Sequence, residues 1–271
     1  MSLLTHKFAC LANLPAMPVL LMDALDQLNG NQNVNSLIDK ISQDPSLVLR
    51  LLRIANSPFY GMPREIGSLR ETVVLLGFNR VRDLLISICF SNSLPVRHKD
   101  FSYQVFWHHS MAVAECSKQL AALASINPDF AFTAGLLHDI GRLLIVVLFP
   151  DEFSQIISET STSLIETERR ILGFDHAAFG GMAAQHWNLP VIIQEAIEQH
   201  EKHTEPLSAK SLELAVYTAN LLIVNAEQPE AYALSEHAQV CAALALLNVS
   251  IDQAIECTKN AQQFTDFIHQ S

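Results

Sequence analysis

The 271-residue chain has little glycine, little charge and no closely spaced cysteines, and each shortage excludes a class of protein. The nine glycines and the scarcity of stretches that alternate apolar and polar residues argue against a sheet-rich domain and favour helices throughout. Only 17% of the residues are charged and 49% are hydrophobic, which excludes a disordered chain and supplies a sizeable core. The five cysteines contain no CxxC pair, so the sequence predicts neither a disulfide framework nor a cysteine zinc knuckle.

Long hydrophobic runs are also missing. The longest strongly apolar run, Leu143 to Phe149, is too short to span a bilayer and stops at Pro150. Residues 1–7 lack the basic start and apolar stretch of a signal peptide. We therefore expect a cytoplasmic protein without a membrane partner.

The net charge of −11 is unevenly distributed along the chain. Residues 40–100 carry nine Lys or Arg against five Asp or Glu, whereas residues 101–271 carry seven against twenty. An acidic chain is a poor general nucleic-acid binder, so a nucleic-acid partner is not expected. The basic region could still bind an acidic partner through Arg50, Arg53 and Arg82, although solvated helix surface is the simpler interpretation.

Apolar residues at helical spacing, separated by caps and breakers, predict an all-α fold. In the first unit, residues 1–95, helices are expected over 16–29, 33–42, 45–56, 69–76 and 80–91. Asp44 and Pro45 have the chemistry of a helix start, and Ser68 three residues before Glu71 forms a capping-box pattern.

Two further units are expected after a joint at residues 93–100. Residues 96–226 form a helical unit that contains most of the histidines, and residues 227–271 form a C-terminal helical extension. Most polar or aromatic residues of the second unit are interpreted as structural. His108 and His186 are expected on helix surfaces or beside a site, Trp107 and Trp187 in the core, and Gly180-Gly181 where two helices approach closely.

One histidine–aspartate pair, His138-Asp139, is the first candidate for chemistry. An apolar run leads directly into the pair, and Gly141 and Arg142 follow it. A buried imidazole and carboxylate need partners, and a divalent metal is one such partner. An ordinary hydrogen-bonded or surface pair is the alternative, because a single His-Asp dipeptide is weak evidence.

Three more histidines lie where separate predicted helices could bring them to the same interior. His109 lies on a helix predicted over 103–123, His176 opens a helix, and His200 falls late in the helix that starts near Pro190. Metal sites in helical bundles take one or two ligands from each of several helices. The spacing permits a shared site without demonstrating it.

Several segments between residues 10 and 225 together resemble the HDOD branch of the HD superfamily, whose catalytic members are metal-dependent phosphohydrolases. The segments that carry the resemblance are 44–57, 73–78, 106–110, 136–142, 176–180 and 187–190. The resemblance implies a multi-helix HD-superfamily bundle with an N-terminal helical subdomain.

The resemblance also implies a site. The metal ligands carried over from the catalytic relatives are His109, His138, Asp139, His176, His200 and Asn220. The implied catalytic residues are Asp139 and Arg142, the latter standing where relatives often have a lysine near phosphate. The implied metal is Fe, Mn, Mg or Ni, or none at all. Two positions depart from the relatives, since Asn220 replaces an aspartate and Gln199 replaces the first of two adjacent histidines in HD-GYP proteins.

These departures decide between two functions. An amide oxygen lacks the negative charge that holds a hard cation and helps to deprotonate its water. The departures favour a degenerate metal pocket, and the resemblance to HDOD proteins implies a signalling or regulatory role. We therefore expect a protein that acts on a signalling protein partner or a phosphorylated small ligand. The alternative is a metal-dependent phosphohydrolase that acts on a nucleotide or cyclic dinucleotide. The oligomeric state is not predicted.

Overall fold

The structure is a computed structural model that describes residues 19–26, 34–62, 64–93, 98–159, 163–201, 209–227 and 234–270. Every regular element in these ranges is a helix, which confirms the all-α prediction. The helices are α1 Val19–Asp26, α2 Val34–Ile41, α3 Pro45–Ala55, α4 Leu69–Leu76, α5 Phe78–Ser93, α6 Tyr103–Ala124, α7 Pro128–Leu137, α8 Ile140–Leu148, α9 Pro150–Ser158, α10 Leu164–Leu172, α11 His176–His186, α12 Val191–Gln199, α13 Leu212–Glu227, α14 Leu234–Leu247 and α15 Ile251–Gln270.

The helix starts in the N-terminal part follow the local capping chemistry. An Asp44 carboxylate oxygen accepts hydrogen bonds from the backbone N–H groups of Ser46, at 3.0 Å, and Leu47, at 3.2 Å. The Ser68 hydroxyl accepts one from the backbone N–H of Glu71 at 3.2 Å. These bonds satisfy N–H groups that have no partner within the helix, so α3 and α4 begin where the sequence predicts.

Two predicted helix boundaries differ from the structure. Helix α5 begins at Phe78 rather than near Arg80, because Gly77 adopts a positive φ of 85° and ends α4 directly before it. Asn79 does not cap α5 but donates a side-chain hydrogen bond to Asp129 at 3.0 Å. Residues 16–18 and 27–29 of the predicted first helix lie outside the described residues.

Helix α6 is the central element of the fold. It packs against α7, α13 and α15, and its buried face includes Met111, Val113 and Cys116. A single hydrophobic core extends from Ala24 in α1 to Phe264 in α15. The core is shared by the three expected units, so their boundaries remain a prediction.

The basic region does not present Arg82 to a partner. Arg82 is 1% exposed, and its guanidinium lies 3.0 Å from the Asp83 carboxylate and 2.9 Å from that of Asp129. Arg80 is similarly held, 2.5 Å from Glu115. The acidic-partner hypothesis is wrong for Arg82, because breaking a buried ion pair would leave uncompensated charge in the interior.

One segment, Pro128–Leu148, is long and apolar enough to cross a bilayer by length and composition. It comprises α7 and α8, and 83% of its most apolar window is buried inside the fold. That burial is the behaviour of core helices.

Candidate metal centre

The predicted site residues come from five regions of the bundle that meet at Asp139. His138 follows the last residue of α7 and Asp139 precedes α8, so both lie at a tight junction between helices. His176 opens α11 and His200 follows the last residue of α12. His109 lies on α6, and Asn220 lies opposite it on α13.

Asp139 is surrounded by three buried imidazoles. Its Oδ1 lies 3.4 Å from Nε2 of both His176 and His200, and its Oδ2 lies 3.9 Å from Nε2 of His138. The three histidines are at most 1% exposed, and Asp139 is 4% exposed. The cluster is therefore shielded from bulk water.

The opposite ring nitrogen of each of these histidines is anchored. His138 Nδ1 donates to the carbonyl of Gly135 and His200 Nδ1 donates to the carbonyl of Ile197, both at 2.7 Å. A carbonyl only accepts, so these contacts place a proton on each Nδ1 and make Nε2 the ring nitrogen that is available to a metal. His176 Nδ1 contacts a carboxylate oxygen of Glu168 at 2.7 Å.

All three Nε2 atoms are buried and have no hydrogen-bond partner among the described residues. Lone pairs that converge on a carboxylate repel it unless a cation lies between them. The Nε2 atoms of His176 and His200 both lie 3.4 Å from Asp139 Oδ1, and the three atoms are close enough together to bind one divalent ion. The donor set therefore fits a divalent metal.

His109 lies on the other side of His138, with ring centroids 5.3 Å apart. Its Nε2 is 3.1 Å from the side-chain oxygen of Asn220, and its Nδ1 is 2.9 Å from Glu227. Burial alone would lower the pKa of His109, but the Glu227 hydrogen bond and the charge of Asp139 outweigh burial and raise it. The raised pKa means that protonation of His109 competes with metal binding at this ring.

The electrostatics keep the central pair in metal-binding forms. Burial holds the pKa of His138 well below its usual value, which favours the neutral ring. Burial would raise the pKa of Asp139, but the charge of Arg142 and the surrounding imidazoles hold it well below its usual value. The pair is thus a neutral imidazole next to an ionised carboxylate.

Two sets of ligand atoms are compact enough to hold a metal: His109, His138 and Asp139 in one, and Asp139, His176 and His200 in the other. Within each set the atoms lie within 4.8 Å of one another. Asp139 belongs to both sets. The arrangement can accommodate one ion or two ions that share this carboxylate.

A cavity of about 340 Å³ connects this cluster to the surface. His109, Asp139 and Asn220 are among the residues that line it. Arg142, with 42% of its side chain exposed, donates a hydrogen bond to Asp139 at 3.0 Å. A small anion could therefore reach both the ligand cluster and a guanidinium.

Three glutamates at the site were not identified from the sequence. Glu168 lies behind His176, Glu227 lies behind His109, and Glu201 Oε1 is 3.9 Å from His176 Nε2 and 3.8 Å from His200 Nε2. Only Glu201, directly after His200, could have been suspected from local sequence. Glu168 is brought to His176 by the packing of the consecutive helices α10 and α11, and Glu227 is brought to His109 by the packing of α13 against α6.

Close helix contacts set the position of His176. A Cβ atom at Gly141 on α8 would lie 1.9 Å from the His176 carbonyl oxygen, so only glycine allows α8 and α11 to meet there. Further along α11, Cβ atoms at Gly180 and Gly181 would lie 3.0 Å from Ile197 and 2.9 Å from Glu198. The expected close approach at Gly180-Gly181 is present.

The remaining candidates lie outside the ligand sets. His108 contacts Asp266 at 3.0 Å, and His186 is exposed. Trp107 and Trp187 are 7% and 6% exposed and belong to the core, as expected.

The amino-acid sequence of the chain is similar to a known protein family. The family profile "HDOD domain" matches residues 14–203. An uncharacterized protein of Treponema pallidum is 25% identical over 218 residues, which cover 78% of this chain and 42% of that protein. The chain therefore spans less than half the length of this relative.

Solved structures share the fold over nearly the whole chain. A presumed phosphohydrolase from Shewanella amazonensis has a TM-score of 0.78 and 25% identity, with 97% of each chain covered. An HDOD domain protein of unknown function from Geobacter sulfurreducens has a TM-score of 0.77 and 21% identity, with 98% of each chain covered. A presumed signal transduction protein from Marinobacter aquaeolei has a TM-score of 0.69 and 19% identity, over 94% of this chain and 60% of that one.

Proposed function

The chain belongs to the HDOD domain family, and on this premise we propose that it is a regulatory protein whose pocket at Asp139 binds divalent metal. It acts by binding a signalling protein partner or a phosphorylated small ligand rather than by rapid catalysis. The cytoplasm is the expected location, and the burial of Pro128–Leu148 supports the expectation of no membrane partner.

The observation that carries metal binding is the convergence of three unpartnered Nε2 atoms on Asp139. A buried polar atom without a hydrogen bond costs about 1–3 kcal/mol. Three such atoms beside one carboxylate would lower the stability of the fold, and one cation bound between them would give all three a partner. The imidazole-rich set favours Fe or Ni over Mn and Mg, which prefer oxygen ligands.

Each residue of such a pocket would have its own role in binding metal or phosphate. His138, His176 and His200 would supply imidazole nitrogen donors, and Asp139 would supply negative charge to both ligand sets. Arg142 holds the Asp139 carboxylate and presents a guanidinium to the cavity, where it would position a phosphate group. When bound, a divalent metal supplies Lewis acidity and lowers the pKa of its water.

Asn220 supports regulation over efficient hydrolysis. Its amide oxygen lies 3.1 Å from His109 Nε2. An aspartate at this position would add a second negative charge to the ligand set of His109, His138 and Asp139. Without that charge, the set of His109, His138 and Asp139 holds a hard cation less tightly and activates water less well.

The cavity at the metal centre supports a second candidate function, phosphohydrolysis. The cavity of about 340 Å³ gives Arg142 and the ligand cluster access to a small anion, as a phosphohydrolase acting on a nucleotide or cyclic dinucleotide requires. The similarity to the presumed phosphohydrolase from Shewanella amazonensis supports the same alternative.

A hydrolysis assay on metal-loaded protein separates the two functions. The protein would be loaded with Mn, Fe, Ni or Mg and tested on bis(p-nitrophenyl) phosphate and on cyclic dinucleotides, with Asp139→Asn as the control. The regulatory proposal predicts metal binding with turnover no higher than in the control. Turnover that Asp139→Asn abolishes would establish the hydrolase instead.

A further inference from the structure

A second cavity, of about 260 Å³, lies on a different face of α6 from the metal centre. Trp107, His108 and Met111 line it, whereas Val105, Phe106 and His109 line the metal cavity. Its remaining walls come from α3, α5 and α15, which contribute residues such as Arg50, Arg53, Leu84 and Ile268.

The two cavities have opposite charge. Four carboxylates line the metal cavity, from Asp100, Asp139, Glu201 and Glu227. Of the described residues that line the second cavity, none is acidic, although the carboxylates of Asp266 and Glu227 lie 3.0 Å and 3.7 Å from His108. The second cavity therefore favours an anion, in a chain whose net charge is −11.

Two arginines give this cavity its positive charge. Arg50 and Arg53 lie three residues apart on α3, so they occupy the same face of the helix. The planar guanidinium group binds the oxygens of phosphate or carboxylate through paired hydrogen bonds. Ser87 and Thr265 add hydroxyl groups to the same lining.

The inner wall is apolar. Ile54, Leu84 and Ile88 are at most 3% exposed, and Trp107 and Met111 lie beside them. Ligand pockets commonly combine such an apolar body with a few polar groups, in volumes of roughly 300–1,000 Å³. At about 260 Å³ this cavity suits a small molecule.

We propose that this cavity binds a small phosphate ester with a flat apolar body, with Arg50 and Arg53 holding the phosphate. The ligand would contact α3 and α5, α6, and α15 together, so its binding stabilises their arrangement. This rests on the proposed function in naming the class of regulatory ligand, but binding here requires no metal.

The test uses isothermal titration calorimetry of the full chain, freed of metal by chelation, with naphthyl phosphate as the probe. Naphthol and inorganic phosphate report the separate contributions of the ring and the anion. The variants are Arg50→Gln, Arg53→Gln and their combination, all at side chains that are not fully buried. Arg70→Gln is the matched control, because Arg70 lies outside the cavity with 71% of its side chain exposed.

We expect one naphthyl phosphate per chain and tighter binding than for naphthol or inorganic phosphate. The double variant should weaken binding by at least about tenfold, since each charge-assisted hydrogen bond contributes about that much. Arg70→Gln should change it by less than about twofold, within ordinary surface effects.

Absence of saturable binding up to about 1 mM probe would overturn the proposal. So would binding that Arg142→Gln abolishes and the double variant leaves intact, because the probe would then occupy the metal cavity. Equal binding of naphthol and naphthyl phosphate would also refute it by removing the role of the anion. Absence of metal from the protein would contradict the metal centre while leaving this result unchanged.

Discussion

Replacing Glu168 by glutamine should weaken metal binding although Glu168 belongs to neither ligand set. Glu168 is 3% exposed on α10, and one of its carboxylate oxygens accepts hydrogen bonds from the backbone N–H and the ring Nδ1 of His176, at 2.8 and 2.7 Å. The carboxylate thereby fixes the ring so that Nε2 points to Asp139. Glutamine keeps the shape but removes the charge.

The size of the effect follows from these contacts. Hydrogen bonds to a charged group contribute about 1.5–3 kcal/mol each, and glutamine retains part of that as a neutral acceptor. Loss of a partner that orients a metal-binding histidine lowers metal affinity about 10–100-fold. Since tenfold corresponds to about 1.4 kcal/mol, we expect a loss of about 1.4–2.8 kcal/mol in the free energy of metal binding.

Protonation supplies a second readout. Burial alone would lower the pKa of His176, but the Glu168 hydrogen bond and the Asp139 charge raise it above 6.5. A raised folded pKa stabilises the protein below the unfolded pKa, and this contribution is lost as pH rises through the folded value. The metal-free Glu168→Gln protein should therefore lose more unfolding free energy near pH 6 than near pH 8.

The assay is calorimetric titration of Mn²⁺ into metal-free protein, together with urea unfolding at both pH values. Glu166→Gln is the matched control, because Glu166 lies on the same helix and is exposed. Unchanged metal affinity in Glu168→Gln would refute the positioning role. An equal loss in both variants would attribute the effect to the helix rather than to His176.

Three further predictions follow from the same geometry. Gly141→Ala should destabilise the protein by about 3 kcal/mol or more in urea unfolding, because the new Cβ would lie 1.9 Å from a backbone oxygen. Gly67→Ala is the control and should change stability little, because its Cβ would have no other atom within 4 Å. Equal effects of the two variants would contradict the close contact at Gly141. Asn220→Asp should raise Mn²⁺ affinity about tenfold or more by calorimetry, because it adds a carboxylate next to the ligand set of His109, His138 and Asp139. Unchanged affinity would show that position 220 is no ligand. Metal affinity should rise with pH through the raised pKa values of His109 and His176, with proton release seen as buffer-dependent heats; affinity that is constant between about pH 6 and 8 would count against their coordination.

Local chemistry made much of the fold predictable. The caps at Asp44 and Ser68 lie where the side chains can satisfy nearby N–H groups, which is a property of a few consecutive residues. The His138-Asp139 junction was likewise visible as a break in an apolar helical run. Family resemblance then supplied the other histidines, and the structure brings them together.

Contacts between distant residues were not predictable in the same way. Arg82 was interpreted as surface because nothing near it in sequence shows that Asp129 will reach it. Glu168 and Glu227 resemble ordinary helix-surface glutamates, and only the packing of α10 and α13 turns them toward the histidines. Family resemblance points to the candidate donor residues of this site more readily than to the residues that orient them.

The most direct test of the central claim is the metal stoichiometry of the purified protein, measured by elemental analysis after dialysis against Mn²⁺ or Fe²⁺ and removal of free ion. The account predicts at least one ion per chain in the wild type and in Asp151→Asn, an exposed acidic position on α9. It predicts loss of that ion in Asp139→Asn, with helical content retained by circular dichroism. A wild-type protein that holds no ion after loading would contradict the account, as would full retention of the ion in Asp139→Asn.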